Sequence, residues 1–195
     1  IRETGEWNWP NDFEQEPYAV EIVADSPEVA AIRLSAARGN VRIERVHTLR
    51  HNSTTLTHEL PVTNISPEPI EMMLRHRVAL QVGGEARRGD TLAYPAKSGI
   101  VRKRFFPDNV WTDFMLSDGW VCASDPMTRE TFLMTSDFGN LSNGGIWFDR
   151  KHFYNLEFFA KKGMVAAGKT VHLRTQWHVL TDVPVITFAD KNFLG

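Results

Sequence analysis

Cysteine is nearly absent: the 195-residue chain carries one, Cys122. A single thiol excludes an intramolecular disulfide framework and any zinc or iron–sulfur site built from several cysteines. Long apolar runs are missing too. No stretch approaches the ~20 residues that cross a bilayer as a helix, so no membrane span of that kind is expected. A helical period is also scarce, and no amphipathic pattern of that kind runs beyond about two turns. Net charge is small, −2 at pH 7, which excludes a polybasic nucleic-acid binder. The opening residues Ile1-Arg2-Glu3-Thr4-Gly5 lack the pattern of a signal peptide and lack a Met, so the chain reads as trimmed or processed.

The period that is present is two. Residues alternate in Tyr18-Ala19-Val20-Glu21-Ile22-Val23, in Val41-Arg42-Ile43-Glu44-Arg45-Val46, and over the stretch from Met72 to Val82. The stretch from Thr54 to Thr63 is rich in Thr, Leu and Val. Alternation is cleanest from Val171 to Val179, with Val171, Leu173, Thr175, Trp177 and Val179 on one face and His172, Arg174, Gln176 and His178 on the other. Such runs predict half-buried antiparallel strands. Arg38-Gly39-Asn40, Gly83-Gly84, Ser142-Asn143-Gly144-Gly145 and Ala167-Gly168-Lys169 read as turns between them. The fold class expected is all-β, an antiparallel β-sandwich in a single domain over residues 1–195. Residues 85–125 mix Gly, Pro, Asp and Asn with bases and aromatics, and read as less regular, loop-rich chain where ligand contacts concentrate.

The small net charge hides a split. Residues 1–30 hold one Arg against eight acids, net −7, and residues 75–104 hold eight bases against Glu85 and Asp90, net +6. Such a split can set a positive patch near an anionic ligand, or leave two merely solvated segments.

Several patterns invite a chemical reading. Gly163-Met164-Val165-Ala166-Ala167-Gly168-Lys169-Thr170 fits the phosphate-loop pattern letter for letter. That loop must open a helix, whereas Val171 to Trp177 is a period-2 strand, so Gly168 is read as a turn residue. His47 and His51 lie four apart, but Thr48 stands where a zinc protease needs Glu, and no metal site is expected. Glu157 sits in Phe153-Tyr154-Asn155-Leu156-Glu157-Phe158-Phe159. A carboxylate among so much apolar surface is a candidate general base; the alternative is an edge-strand Glu pointing to water. The face carrying His172, Arg174 and His178 could bind a polyol or could simply face solvent. Of the six Trp residues, most are expected in the core, with one or two lining a groove.

Three passages give the chain a family resemblance. Trp9-Pro10 with Pro17-Tyr18, then Leu60-Pro61-Val62-Thr63-Asn64-Ile65-Ser66-Pro67, then Asn155-Leu156-Glu157 with Ala166-Ala167-Gly168-Lys169-Thr170 and the last strand resemble galactose mutarotase-like proteins. The resemblance implies the aldose 1-epimerase-like β-supersandwich, with N-terminal strands of the full fold lacking here. By position it matches Glu157 to the base on the C1 hydroxyl and His76 to the acid on the ring oxygen. Alternation groups His76 with Met72, Leu74, Val78 and Leu80, the apolar set, which fits a buried structural histidine equally well.

The function expected is therefore carbohydrate binding, with the domain standing alone or forming part of a larger carbohydrate-active protein. Glu157 and His76 are the candidate catalytic pair, and Arg75, Arg77, His172, Arg174 and His178 are the candidate substrate contacts. The basic segment from Arg75 to Arg104 favours an anionic or phosphorylated sugar slightly over a neutral one. No cofactor is expected, and the partners expected include no nucleic acid and no membrane. Two alternatives remain: an aldose 1-epimerase using Glu157 and His76, and a non-catalytic structural or partner-binding β-domain. Sugar identity, compartment and oligomeric state are not legible.

Overall fold

The structure, a computed structural model, describes residues 13, 15–84, 90–104, 110–149 and 153–182. The Trp9-Pro10 passage and the charges at Glu85, Arg87 and Arg88 lie outside them. Fifteen strands follow in chain order: β1 (Ala19–Asp25), β2 (Val29–Arg38), β3 (Val41–Arg50), β4 (Thr55–Asn64), β5 (Ile70–Met72), β6 (Arg75–Leu80), β7 (Thr91–Ala96) and β8 (Gly99–Arg104), then β9 (Val110–Phe114), β10 (Trp120–Asp125), β11 (Glu130–Ser136), β12 (Leu141–Asp149), β13 (Phe153–Ala160), β14 (Gly163–Val165) and β15 (Thr170–Thr181). Two short 3-10 turns, at Val82–Gly84 and Phe138–Asn140, are the helical segments among the described residues. The all-β expectation holds. The residues cluster into two compact units, Ile1–Arg75 with Ala160–Gln176, and His76–Phe159 with Trp177–Gly195.

The first unit orders its strands β1-β2-β3-β4-β15 and adds a two-stranded β14-β5 sheet. Its long hairpins keep a single antiparallel register, Val29↔Arg50 to Arg38↔Val41 and then Val41↔Asn64 to Leu49↔Leu56. Period-2 alternation buries Val41 and Ile43 of β3, and His58, Leu60 and Val62 of β4, on one face. That apolar face thins towards the edge, where Val20 and Ile22 are 68% and 69% exposed. Two acids of the N-terminal segment are matched by arginines of β2, Glu21 with Arg33 at 2.7 Å and Glu16 with Arg38 at 3.2 Å.

Asn64 ties this unit together. Its Nδ2 donates to the carbonyls of Glu68 (2.7 Å) and Val165 (2.9 Å), and its Oδ1 accepts from the Ser66 amide (2.9 Å) and hydroxyl (2.7 Å). Its backbone exchanges bonds with Lys169 and Gly168. The phosphate-loop look-alike is therefore a turn, as expected, with Gly168 at φ +69° leading into β15. An L-residue would be strained there.

The second unit is a sandwich of two sheets. One orders its strands β15-β11-β10-β7-β8, counting β15 from Trp177, and the other β6-β13-β12-β9. Tyr94 of β7 stacks on Phe114 of β9 with ring centroids 4.1 Å apart, and Phe132 of β11 meets Trp177 of β15 at 6.2 Å. Cys122 is fully buried on the opposite face of β10, with Ala93 and Leu133. Burial pushes its thiol up to about 12, so it is inert as a nucleophile at neutral pH.

Three sequence expectations change. Ser142-Asn143-Gly144-Gly145 is not a turn but lies in the first half of β12, where Gly144 and Gly145 pair with Phe114 and Asp113 of β9. Glycine is there because the Phe114 ring lies across it, and a Cβ on Gly144 would collide with that ring. The stretch from Met72 to Val82 is broken between β5 and β6. Within residues 85–125, read as loop-rich, the described parts hold four strands, β7 to β10, while residues 85–89 and 105–109 lie outside the described residues. Strand β7 is buried over four successive residues, so it shows no alternation to read. Gly144→Ala is expected to cost about 1–3 kcal/mol by urea unfolding. Adding Phe114→Leu should recover most of that loss; an additive double variant would show that the ring does not set the cost.

Candidate functional site

The candidate residues divide by strand face. Tyr154 of β13 is pushed up in pKa by burial and then by the Asp90 and Asp125 carboxylates. Asp125 shares the face of β10 with Ala123, which pairs with Phe132 and Leu92, so a Tyr154 within electrostatic reach of Asp125 lies on that side of the larger sheet. Alternation then turns Leu156 and Phe158 the same way and Asn155, Glu157 and Phe159 to the outer face. In β12, Gly144 faces the larger sheet beneath Phe114, so Ile146 points inward and Trp147 outward. In β6, the His76 ring lies 5.3 Å from the Trp177 ring of the larger sheet, which leaves Arg77 outward.

The outer face of the four-stranded sheet in the second unit thus carries Arg77, Trp147, Asn155 and Glu157. Strand β13 lies between β6 and β12, so Glu157 is on an interior strand rather than an edge. Glu157 is fully buried and Asn155 is 4% exposed. Arg77 and Trp147 are half-buried. One atom lacks a partner: Asn155 Oδ1 is buried and accepts no hydrogen bond. Chemically the face offers a carboxylate, an amide carbonyl, a guanidinium and a flat indole. That is a set able to receive hydroxyl donors and to stack a ring.

Arg77 and Glu157 share this face on the neighbouring strands β6 and β13. The structure puts His76 on the other side of the same sheet, 5% exposed, with its ring near Trp177. His172, Arg174 and half-buried Arg75 fall in the first unit. His172 and Arg174 are exposed there, and Arg174 reaches Glu59 at 3.6 Å on the sheet face away from His58 and Leu60. A pair that exposed is largely screened by water. His178 is half-buried in the second unit, its Nε2 3.4 Å from Thr135 Oγ1. Among the described residues no group of three His, Cys, Asp or Glu could hold a metal ion. His47 meets His58 across β3 and β4, ring centroids 4.5 Å apart, while His51 is exposed in the turn that follows β3.

Sequence reasoning singled out Glu157 but not Asn155 or Trp147 as its companions. The signal for Asn155 is its spacing of two from Glu157, which fixes a shared strand face.

No protein-family model and no curated protein matches the chain in sequence. Solved structures do match in fold. The Slr1438 protein from Synechocystis sp. PCC 6803 aligns with a TM-score of 0.65 at 15% identity, covering 85% of this chain and 66% of that one. A TPR-domain containing protein from Parabacteroides distasonis aligns at 0.67 and 12% identity, covering 90% of this chain and 36% of that one. A galactose mutarotase-like protein from Lactobacillus casei aligns at 0.61 and 13% identity, covering 82% of this chain and 72% of that one. The chain spans about two thirds of the first of these and about a third of the second. The fold is mutarotase-like, as the sequence resemblance implied.

Burial lowers the His178 pKa below 6.5, so the folded chain holds it neutral. Its contribution to stability is intact above the ordinary imidazole value and is lost as pH falls through the lowered one. His178→Gln is therefore expected to flatten the stability profile on the acid side, measured as urea midpoints from about pH 5 to about pH 8. Parallel profiles for the two proteins would contradict the assignment.

Proposed function

We propose that the chain is a carbohydrate-binding, mutarotase-like domain whose sugar meets the outer face of the four-stranded sheet. The observation that carries this is the placement of Glu157: a fully buried carboxylate on an interior strand, sharing its face with Arg77 and Trp147. Removing a carboxylate from water is costly, and sequences seldom keep one inside a sheet without a use for it. The mutarotase-like fold adds an analogy, since galactose mutarotase-like proteins share it. The 36% coverage of a longer TPR-domain chain fits a role as one part of a larger protein.

Under this reading Glu157 accepts hydrogen bonds from sugar hydroxyls, Trp147 stacks on a sugar face and Arg77 supplies a cation. Arg77 is the anchor for an anionic or phosphorylated sugar. His172 and Arg174 are exposed in the first unit, and this reading does not draw on them. The geometry favours binding over turnover, because His76 lies behind the sheet that carries Glu157 and cannot hand a proton to the same ligand.

Calorimetric titration with D-galactose, D-glucose and their 6-phosphates tests the proposal. Glu157→Gln should weaken whichever sugar binds by about 10–100-fold, the range for hydrogen bonds to a charged group. Unchanged affinity would reject the site. Polarimetry of fresh α-D-glucose should show the buffer rate. Acceleration that disappears in Glu157→Gln would instead make the chain an aldose 1-epimerase.

A further inference from the structure

We infer that Asn155 is the specificity residue of this site, and that its Oδ1 receives a hydroxyl of a neutral sugar ring beside the group held by Glu157. The inference rests on the carbohydrate-binding reading and deepens it. Asn155 Oδ1 is a buried acceptor with no partner in a residue only 4% exposed. An acceptor stripped of water and left unpaired weakens the fold, and such atoms are rare in native proteins. A bound donor would remove that penalty.

The neighbours fix the kind of donor. Asn155 and Glu157 lie on one face of β13, two residues and about 6.6 Å apart along the strand. One ring with its hydroxyls can bridge that span. The unpaired Oδ1 calls for a donor, which a hydroxyl supplies and a deprotonated phosphate or carboxylate oxygen does not. A hydroxyl also carries no charge into a buried place, unlike an ammonium group. A neutral hydroxyl is the donor that fits. Any anionic group of the ligand then belongs towards Arg77, away from Asn155.

The proposal makes an unusual prediction about stability. Asn155→Leu keeps the branched shape and heavy-atom count and deletes the unpaired acceptor, so the variant should melt about 2–4 °C higher than the parent. The same variant should bind D-galactose or D-glucose at least about tenfold more weakly. Asn155→Ala serves as a second variant and should show the same loss of binding whatever its melting temperature. Binding within about twofold of the parent in both Asn155 variants, with Glu157→Gln defective, would overturn the role of Asn155 and leave the site standing. A lower melting temperature for Asn155→Leu would also overturn it, by showing that the amide supports the fold. A parent that binds none of the four sugars would reject the carbohydrate reading itself, and this inference with it.

Discussion

Strand β13 is an interior strand buried on both faces, and the candidate site depends on that constraint. One face, Tyr154, Leu156 and Phe158, belongs to the packed layer between the two sheets of the second unit. The other carries Asn155 and Glu157, two polar groups withdrawn from water. A strand hydrogen-bonded on both sides cannot rotate to expose either set, because a change of face would require a one-residue slip of the whole register. The polar pair is thus held rigidly in a place where hydrogen bonds are strong and unpaired acceptors are costly.

The same alternation explains why the candidate residues separate. His76 and Glu157 sit on neighbouring strands of one sheet, yet their side chains leave it in opposite directions. The His76 ring meets Trp177 inside the sandwich, tilted by 36° with ring centroids 5.3 Å apart. The turn between β14 and β15 has a comparable structural explanation. Its glycine-rich letters match a phosphate loop, but Asn64 binds it by backbone and side chain, and a strand follows instead of a helix.

Much of the fold was legible in the sequence wherever one sheet face is wet. Strands β3, β4 and β15 show their period because outward residues such as Arg42, Glu59 and Arg174 contrast with buried Ile43, Leu60 and Leu173. Where burial is two-sided the contrast vanishes, and β7 and β10 were hidden among what looked like loop. Gly144 misled for a different reason: it is a glycine required by a ring lying across a strand, not by a turn. At the site, the aromatic run around Glu157 correctly marked a buried carboxylate. The polar face of His172 and Arg174 looked equally functional, but a polar strand face is also what solvent selects. No linear pattern records which layer covers a given face.

The central claim is that ligand meets the outer face of the four-stranded sheet while the layer between the sheets stays sealed. The most direct measurement is a two-dimensional 15N–1H NMR titration with D-galactose and D-glucose, following side-chain signals. The account predicts that the Trp147 indole and the Asn155 side-chain amide shift with sugar while the Trp177 indole does not. Shifts at Trp177 with Trp147 and Asn155 unmoved would contradict it.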